Sequence, residues 1–343
     1  MIATENTRMF IEAAEACEVV ARQLAENAET LANLGASLRE HPPRAVITCA
    51  RGSSDHAATY AKYLIETRAR VLTTSAAPSI ASVYGTPASF ADMLAIGISQ
   101  SGKSPDIVAS LAAAKAGGAR TAALVNVVDS PLAALADTVL PLSAGPETSV
   151  AATKSFIATL SAITAMVAHW TQDEALTGSL ADLPGVLHQA FACDWSAMVD
   201  ALAPAKGLYV IGRGIGLGIA QEAALKFKET CGLHAEAFSA AEVKHGPMAL
   251  VGPEFPLLVF RQDDETAEGV DALVAEVVGR GGAVLLAGGS VAGATTLPLP
   301  VADAALQPVV AIQAFYRAVN ALSIRRGFDP DRPPHLAKVT ETV

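Results

Sequence analysis

Between Glu222 and Pro247 the chain reads "EAALKFKETCGLHAEAFSAAEVKHGP", its densest gathering of side chains that move protons. Glu222, Lys226 and Glu229 stand at i, i+4 and i+7, so a helix puts all three on one face among alanines and leucines. Two carboxylates and an ammonium on one partly buried face are costly unless they pair or do chemistry. The plainer alternative for an isolated Glu-Lys spacing is a salt bridge on a solvated surface. Against that alternative stands the polar cluster downstream, with His234, Glu236, Glu242, Lys244 and His245. "KHGP" closes in a Gly-Pro turn suited to presenting His245 from a loop, whereas His234 reads as a structural histidine. No HExxH or comparable spacing appears, so no metal is expected.

A second candidate is "ISQSGKSPD", Ile98 to Asp106, where an apolar run meets an Ala-rich stretch. Ser104-Pro105-Asp106 reads as a helix start: Ser104 at the N-cap, proline at the first helical position, an acid in the first turn. Ser99, Gln100, Ser101 and the backbone N–H of Gly102 then ring the positive end of a helix dipole with neutral donors, as a phosphate dianion requires. Ser53 and Ser54, in the turn after an earlier strand, lie beside them if those strands are neighbours. One serine-rich turn alone is better read as capping and turn chemistry; two at equivalent strand ends favour a ligand. The spacing "SQSGKS" lacks the four-residue gap of a Walker-type nucleotide loop.

These segments need elements to hold them. The 343 residues are 51% hydrophobic and 17% charged, as suits a globular α/β chain. A formal charge of -10 without a Lys/Arg cluster argues against nucleic acid as a partner. Cys17, Cys49, Cys193 and Cys231 have neither disulfide-scaffold density nor zinc spacing, so reduced thiols and a cytoplasmic location are expected. The charged N-terminus is wrong for a signal peptide. Ser155 to Gln172 and Gly281 to Ala302 are uncharged enough to suggest membrane spans, but hydroxyls, glycines and prolines interrupt them; both are read as buried core, and no membrane partner is expected.

Apolar runs bounded by glycine ("RAVITCARG", "MLAIGISQSG", "RTAALVNV") alternate with helical patterns, the mark of βαβ units and a parallel sheet. The alternation then recurs. Arg51-Gly52 matches Arg213-Gly214, 162 positions on, and the same shift carries Ser99 to Arg261 and Thr121 to Ala283. The fold class expected is α/β, with two tandem doubly wound parallel-sheet, flavodoxin-like domains after a helical segment. The expected division is 1–40 helical, 41–185 first domain and 186–343 second domain, joined near "LADLPGVLHQAF". The second copy has Arg261, Gln262, Asp263 and Thr266 where the first has its serine loop, and an acidic loop cradles phosphate poorly.

Five collinear motifs, "SQSGKSPD", "ETSVAATKSF", "EAALKFKE", "HAEAFSAAEVKHGP" and "HLAK", resemble the tandem sugar-isomerase (SIS) domain family, typified by the isomerase half of glucosamine-6-phosphate synthase. The resemblance implies that Ser54, Ser99, Gln100, Ser101 and Ser104 hold a sugar phosphate and that Gly52, Ser53, Val150 and Ala337 line the sugar site. It implies Glu229 as the base between C1 and C2, Lys226 as a stabiliser of the enediol-type intermediate, Glu222 beside them, and His245 as the ring-opening group. Lys338, which sequence physics alone does not single out from a polar tail, would lie near the carbonyl carbon as a possible Schiff-base former. In relatives the "KHGP" histidine comes from a neighbouring subunit, so a homodimer with a shared active site is implied, and no cofactor.

Departures from the pattern shape the functional expectation. Arg51 stands where the synthase has a cysteine and Ala152 where it has a serine, which puts sugar contacts there in doubt. The chain runs from "MIATENTRMF" straight into its helical segment, so no glutaminase domain is expected. The segment "EAAEACEVVARQL" and the ending "LAKVTETV" are more similar to stand-alone deaminases of the family. The leading expectation is conversion of glucosamine 6-phosphate to fructose 6-phosphate and ammonia. The alternatives are a glutamine-independent relative of the isomerising aminotransferase, a galactosamine-6-phosphate deaminase, a deglycase acting on fructosamine phosphates, and a non-catalytic phosphosugar sensor.

Overall fold

The computed structural model describes residues 3–338, so residues 339–343 of the ending "LAKVTETV" lie outside the described residues. The chain forms two compact units, neither of them one contiguous stretch. One consists of Glu18–Glu147, Lys154–Ala181 and residues 337 and 338, and contains the first sheet; the other consists of residues 3–17, Thr148–Thr153 and Asp182–Leu336, and contains the second.

The first sheet has β1 (Ala45–Cys49), β2 (Thr73–Ser75), β3 (Met93–Ser99), β4 (Arg120–Val125) and β5 (Thr138–Pro141), all parallel in the order β2-β1-β3-β4-β5. The second has β6 (Gly207–Gly212), β7 (His234–Ser239), β8 (Leu257–Phe260), β9 (Val284–Ala287) and β10 (Thr295–Leu297), ordered β10-β9-β8-β6-β7. Read from β7, that is the same doubly wound order. The inner strands β1, β3, β4, β6, β8 and β9 are near-continuous buried apolar runs, as expected of strands covered on both faces, whereas the edge strands β2, β7 and β10 carry exposed polar residues. Cys49, Ala95, Ile107, Leu111 and Leu132 pack one layer of the first unit; Ile211, Val259, Val270, Leu273 and Leu286 do so in the second. Helices Arg8–Ala14 and Ala16–Glu40 form the N-terminal segment.

The internal repeat is visible in strand register. Ile47 pairs with Ala95 and Tyr209 with Leu257, each residue displaced by the same 162 positions. One strand further on the repeat slips. Ala95 pairs with Thr121, but Leu257 pairs with Val284 rather than the expected Ala283. The preceding helix explains this: Pro105–Ala116 has 12 residues and Ala267–Gly279 has 13, so one extra helical residue delays the next strand.

Two uncharged stretches fare differently. Helix Lys154–Thr171 is buried almost throughout, as expected. Gly281 to Ala302 is not a buried element as a whole: β9 is, but the turns after it are largely exposed and Val301 is 92% exposed. Glycines that break a strand early leave the following residues on the surface. Among the described residues no helix is long and apolar enough to cross a membrane. The stretch "LADLPGVLHQAF" lies inside the continuous helix Glu174–Ala192, which carries Pro184 internally.

Gly102 sets the path of the serine loop. Its φ is +63°, and a Cβ there would fall 2.2 Å from Ser130 Oγ. Gly102→Ala therefore combines a disfavoured backbone region with a hard contact, and should lower unfolding free energy by about 2 kcal/mol or more. Urea unfolding with an unchanged slope and a lower midpoint checks this.

Candidate active site

In the first unit, β1 and β3 are neighbours, with Cys49 opposite Gly97, so the loops leaving them emerge side by side at one edge of the sheet. Gly52, at φ +54°, turns the chain into helix Ser53–Leu64, so Ser53 and Ser54 are its first two residues. Beside them β3 ends at Ser99, followed by Gln100, Ser101 and then helix Pro105–Ala116. The five residues expected at a phosphate, Ser54, Ser99, Gln100, Ser101 and Ser104, thus lie on two loops leaving the same end of the sheet. Ser104 is the N-cap residue and Pro105 the first helical residue, but the Ser104 side chain makes no cap bond. Ser99 Oγ accepts from Gly102 N at 3.0 Å, and Ser101 Oγ accepts from Lys103 N at 3.3 Å. In both bonds the hydroxyl oxygen accepts, which leaves its hydrogen available to donate. Burial pushes the Asp55 carboxyl up, with His56 and Arg51 pulling it the other way.

The same unit holds the tail. Lys338 Nζ donates to Glu147 Oε2 at 3.2 Å, and the Glu147 side chain is fully buried. Glu147 also accepts from Ser155 N at 3.1 Å and Ser155 Oγ at 2.6 Å, so one carboxylate caps helix Lys154–Thr171 and fixes the tail lysine. Ala337 is exposed next to it. Glu147 belongs to the quoted "ETSVAATKSF" motif, yet its role was not legible there, because Lys338 is 191 positions away.

In the second unit, helix Leu217–Cys231 carries the three charges on one face, as the spacing predicts. Lys226 is 1% exposed, and its Nζ lies 3.0 Å from Glu222 Oε1 and 2.7 Å from Glu229 Oε2. A surface salt bridge is therefore not what this spacing encodes. Glu222 is fully buried and also accepts from Tyr316 Oη at 3.1 Å, while the Glu229 side chain is 18% exposed. Burial pulls the Lys226 ammonium down, but the two carboxylates outweigh it and hold it well above the ordinary lysine range. Tyr316 comes from helix Gln307–Arg325 and has no spacing signal in the sequence.

His245 follows the short helical turn Glu242–Lys244 and is exposed, with Gly246 at φ +127° behind it; His234 begins β7 and is exposed. Val150 is half-buried in the segment Thr148–Thr153, whose Thr148 and Ser149 backbone N–H groups donate to Glu12. Among the described residues, no group of three or more His, Cys, Asp or Glu could hold a metal ion.

The loop equivalent to the serine loop is filled from within. Gln262, 2% exposed, donates to Arg213 O at 2.7 Å and to Asp264 and Thr266 at 3.1 Å each. Arg261 is held by Asp271 and Asp263. Here the side-chain amide of the loop is satisfied from within the loop and the neighbouring turn.

Against known proteins, the SIS domain model matches residues 41–169 and 201–294. The chain belongs to the SIS domain family and is homologous to the isomerase half of glutamine–fructose-6-phosphate aminotransferase. The aminotransferase of that name from Zymomonas mobilis is 35% identical over 311 residues, covering 85% of this chain and 51% of the relative. The chain thus spans about half the length of the curated relatives it matches. A solved protein from Silicibacter pomeroyi DSS-3, described as a candidate phosphosugar isomerase, superposes with TM-score 0.91 at 40% identity, covering 95% of this chain and all of that one. The glucosamine-6-phosphate deaminase of Thermotoga maritima, at TM-score 0.80 and 22% identity over 98% of this chain and 100% of that one, shares the fold. These similarities place the chain among enzymes.

Two predictions follow from the charge cluster. Tyr316→Phe removes one bond to a carboxylate that keeps Lys226, and should cost about 1 kcal/mol of stability; Glu222→Ala leaves a buried ammonium short of a partner and should cost about 3–5 kcal/mol. Denaturant unfolding of the two variants checks that order. Because the folded pKa of Lys226 is raised, its stabilising contribution is fully present below the unfolded lysine value of about 10.4 and is lost only as pH rises through the folded value. The stability difference between wild type and Lys226→Met should accordingly stay constant from pH 7 to about pH 9, as read from urea midpoints.

Proposed function

We propose that this chain catalyses isomerising deamination of an amino-sugar phosphate, most directly glucosamine 6-phosphate plus water to fructose 6-phosphate plus ammonia. The observation that carries the proposal is Glu229: of three clustered charges it is the one whose side chain reaches the surface, and a buried ammonium fixes its direction. In the proposed sequence His245, supplied by a second subunit, opens the sugar ring. The Glu229 carboxylate removes the C2 proton while the C1 carbonyl oxygen is protonated, giving an enediol-type amino intermediate. Return of a proton to C1 leaves an imine at C2, which water hydrolyses to the ketone and ammonia. Lys226 acts through Glu229 by holding it, and Lys338, parked on Glu147, is the amine available to the carbonyl. The phosphate would sit on the hydroxyls of Ser54, Ser99, Ser101 and Ser104 with Gln100, where neutral donors meet a helix N-terminus. Gly52, Ser53, Val150 and Ala337 would line the sugar. The domain division 1–40, 41–185 and 186–343 stays part of this reading, as do the cytoplasmic location and the homodimer.

A second reading rests on the 35% identity to an isomerising aminotransferase. The same C1/C2 proton transfer would then run the other way, making the amino sugar from fructose 6-phosphate and ammonia. Ammonia release from glucosamine 6-phosphate, followed with a coupled assay for fructose 6-phosphate and with galactosamine 6-phosphate alongside, tests the first reading. Glu229→Gln should reduce turnover by about 100-fold or more with substrate binding nearly intact. Unchanged turnover in that variant removes Glu229 from the mechanism.

A further inference from the structure

Arg51 follows β1 and stands immediately before Gly52-Ser53-Ser54, at the sheet edge where the serine loop emerges. Its Nε donates to Asp106 Oδ2 at 2.8 Å. Asp106 is fully buried and lies in the first turn of the helix that Ser104 begins, two residues beyond Ser104. The guanidinium therefore bridges the two loops that offer neutral donors to a phosphate. Its anchor is Nε, and the side chain remains 52% exposed at the end of the sheet where both serine-bearing loops emerge.

We infer that Arg51 is a binding residue for the substrate's phosphate, adding a fixed positive charge to the neutral serine ring; this rests on the proposed phosphosugar reading. Three physical points support it. A formal charge of -10 repels a phosphate dianion at long range, so a local cation raises its affinity. A guanidinium offers the paired planar donors that match phosphate oxygens, and charge-assisted bonds are roughly twice as strong as neutral ones. A carboxylate on Nε restricts the side chain beforehand, which reduces the ordering cost of binding. Asp55 also lies near Arg51; burial pushes its carboxyl up, and His56 and Arg51 pull it the other way. In the second unit, by contrast, the equivalent Arg213 donates to Ser239 Oγ at 3.0 Å and accepts from Gln262 through its carbonyl, closing the loop instead of leaving it open.

The test is titration of the full chain with inorganic phosphate and, separately, with glucosamine 6-phosphate, by calorimetry. Arg51→Gln should weaken both at least roughly tenfold and steepen neither with salt. Lys103→Ala, which removes the exposed lysine of the same loop, should stay within about twofold of wild type, since a freely moving surface charge contributes little. If Arg51→Gln fails to fold because the buried Asp106 carboxylate loses its guanidinium, the double variant Arg51→Gln/Asp106→Asn removes that charge and carries the same expectation. Wild-type affinity for phosphate in the folded variant overturns the inference, and so does a wild-type protein with no saturable phosphate binding. Loss of affinity for the sugar phosphate with none for inorganic phosphate also overturns it, because Arg51 would then touch another part of the sugar. Phosphate binding that depends on Arg51 in a protein that releases no ammonia would leave this inference standing while the deaminase reading fell.

Discussion

An ammonium that is 1% exposed survives in a protein interior only if its charge is matched at contact distance, and Lys226 is matched twice. Glu222 on one side is itself buried and tied to Tyr316, so it cannot follow a ligand. Glu229 on the other side is left with one face toward solvent. The pairing therefore makes one carboxylate rigid and the other presentable, and the surrounding elements maintain this. Helix Leu217–Cys231 sets the three-residue register, helix Gln307–Arg325 supplies the tyrosine, and the Ala-rich faces between them exclude water that would screen the charges.

The duplicated sheets show how one topology supports two kinds of edge. The first sheet ends in hydroxyls that accept from the backbone of their own loop. The second ends in Gln262 and Arg261, which satisfy one another's neighbours and fill the space. The charged cluster of the second unit lies on the helix after its first strand, Leu217–Cys231. The two copies thus differ in which donors each loop consumes internally.

Much of this was legible in the sequence because it depends on short-range periodicity. The Glu222-Lys226-Glu229 face, the helix start at Ser104-Pro105 and the parallel strands follow from spacings of a few residues, and the repeat follows from comparing the chain with itself. The slip before Val284 was not legible, since one extra helical residue leaves no mark in an Ala/Val-rich run. Nor were Tyr316, Glu147 and the Arg51–Asp106 pair, which owe their roles to partners 94, 191 and 55 positions away. Long-range pairing of charges is decided by packing, and a single sequence does not record it. Lys338 entered only through the family resemblance; its hold on Glu147 gives it a physical reason to be there.

The central claim is that a carboxylate moves a proton between C1 and C2 of an amino-sugar phosphate. Its most direct measurement is turnover of glucosamine 6-phosphate in deuterium oxide, with the fructose 6-phosphate product analysed by NMR. A proton carried by an exchangeable carboxylate predicts solvent deuterium at C1 of at least part of the product. Product formed without any solvent deuterium, or no product at all, would contradict the account.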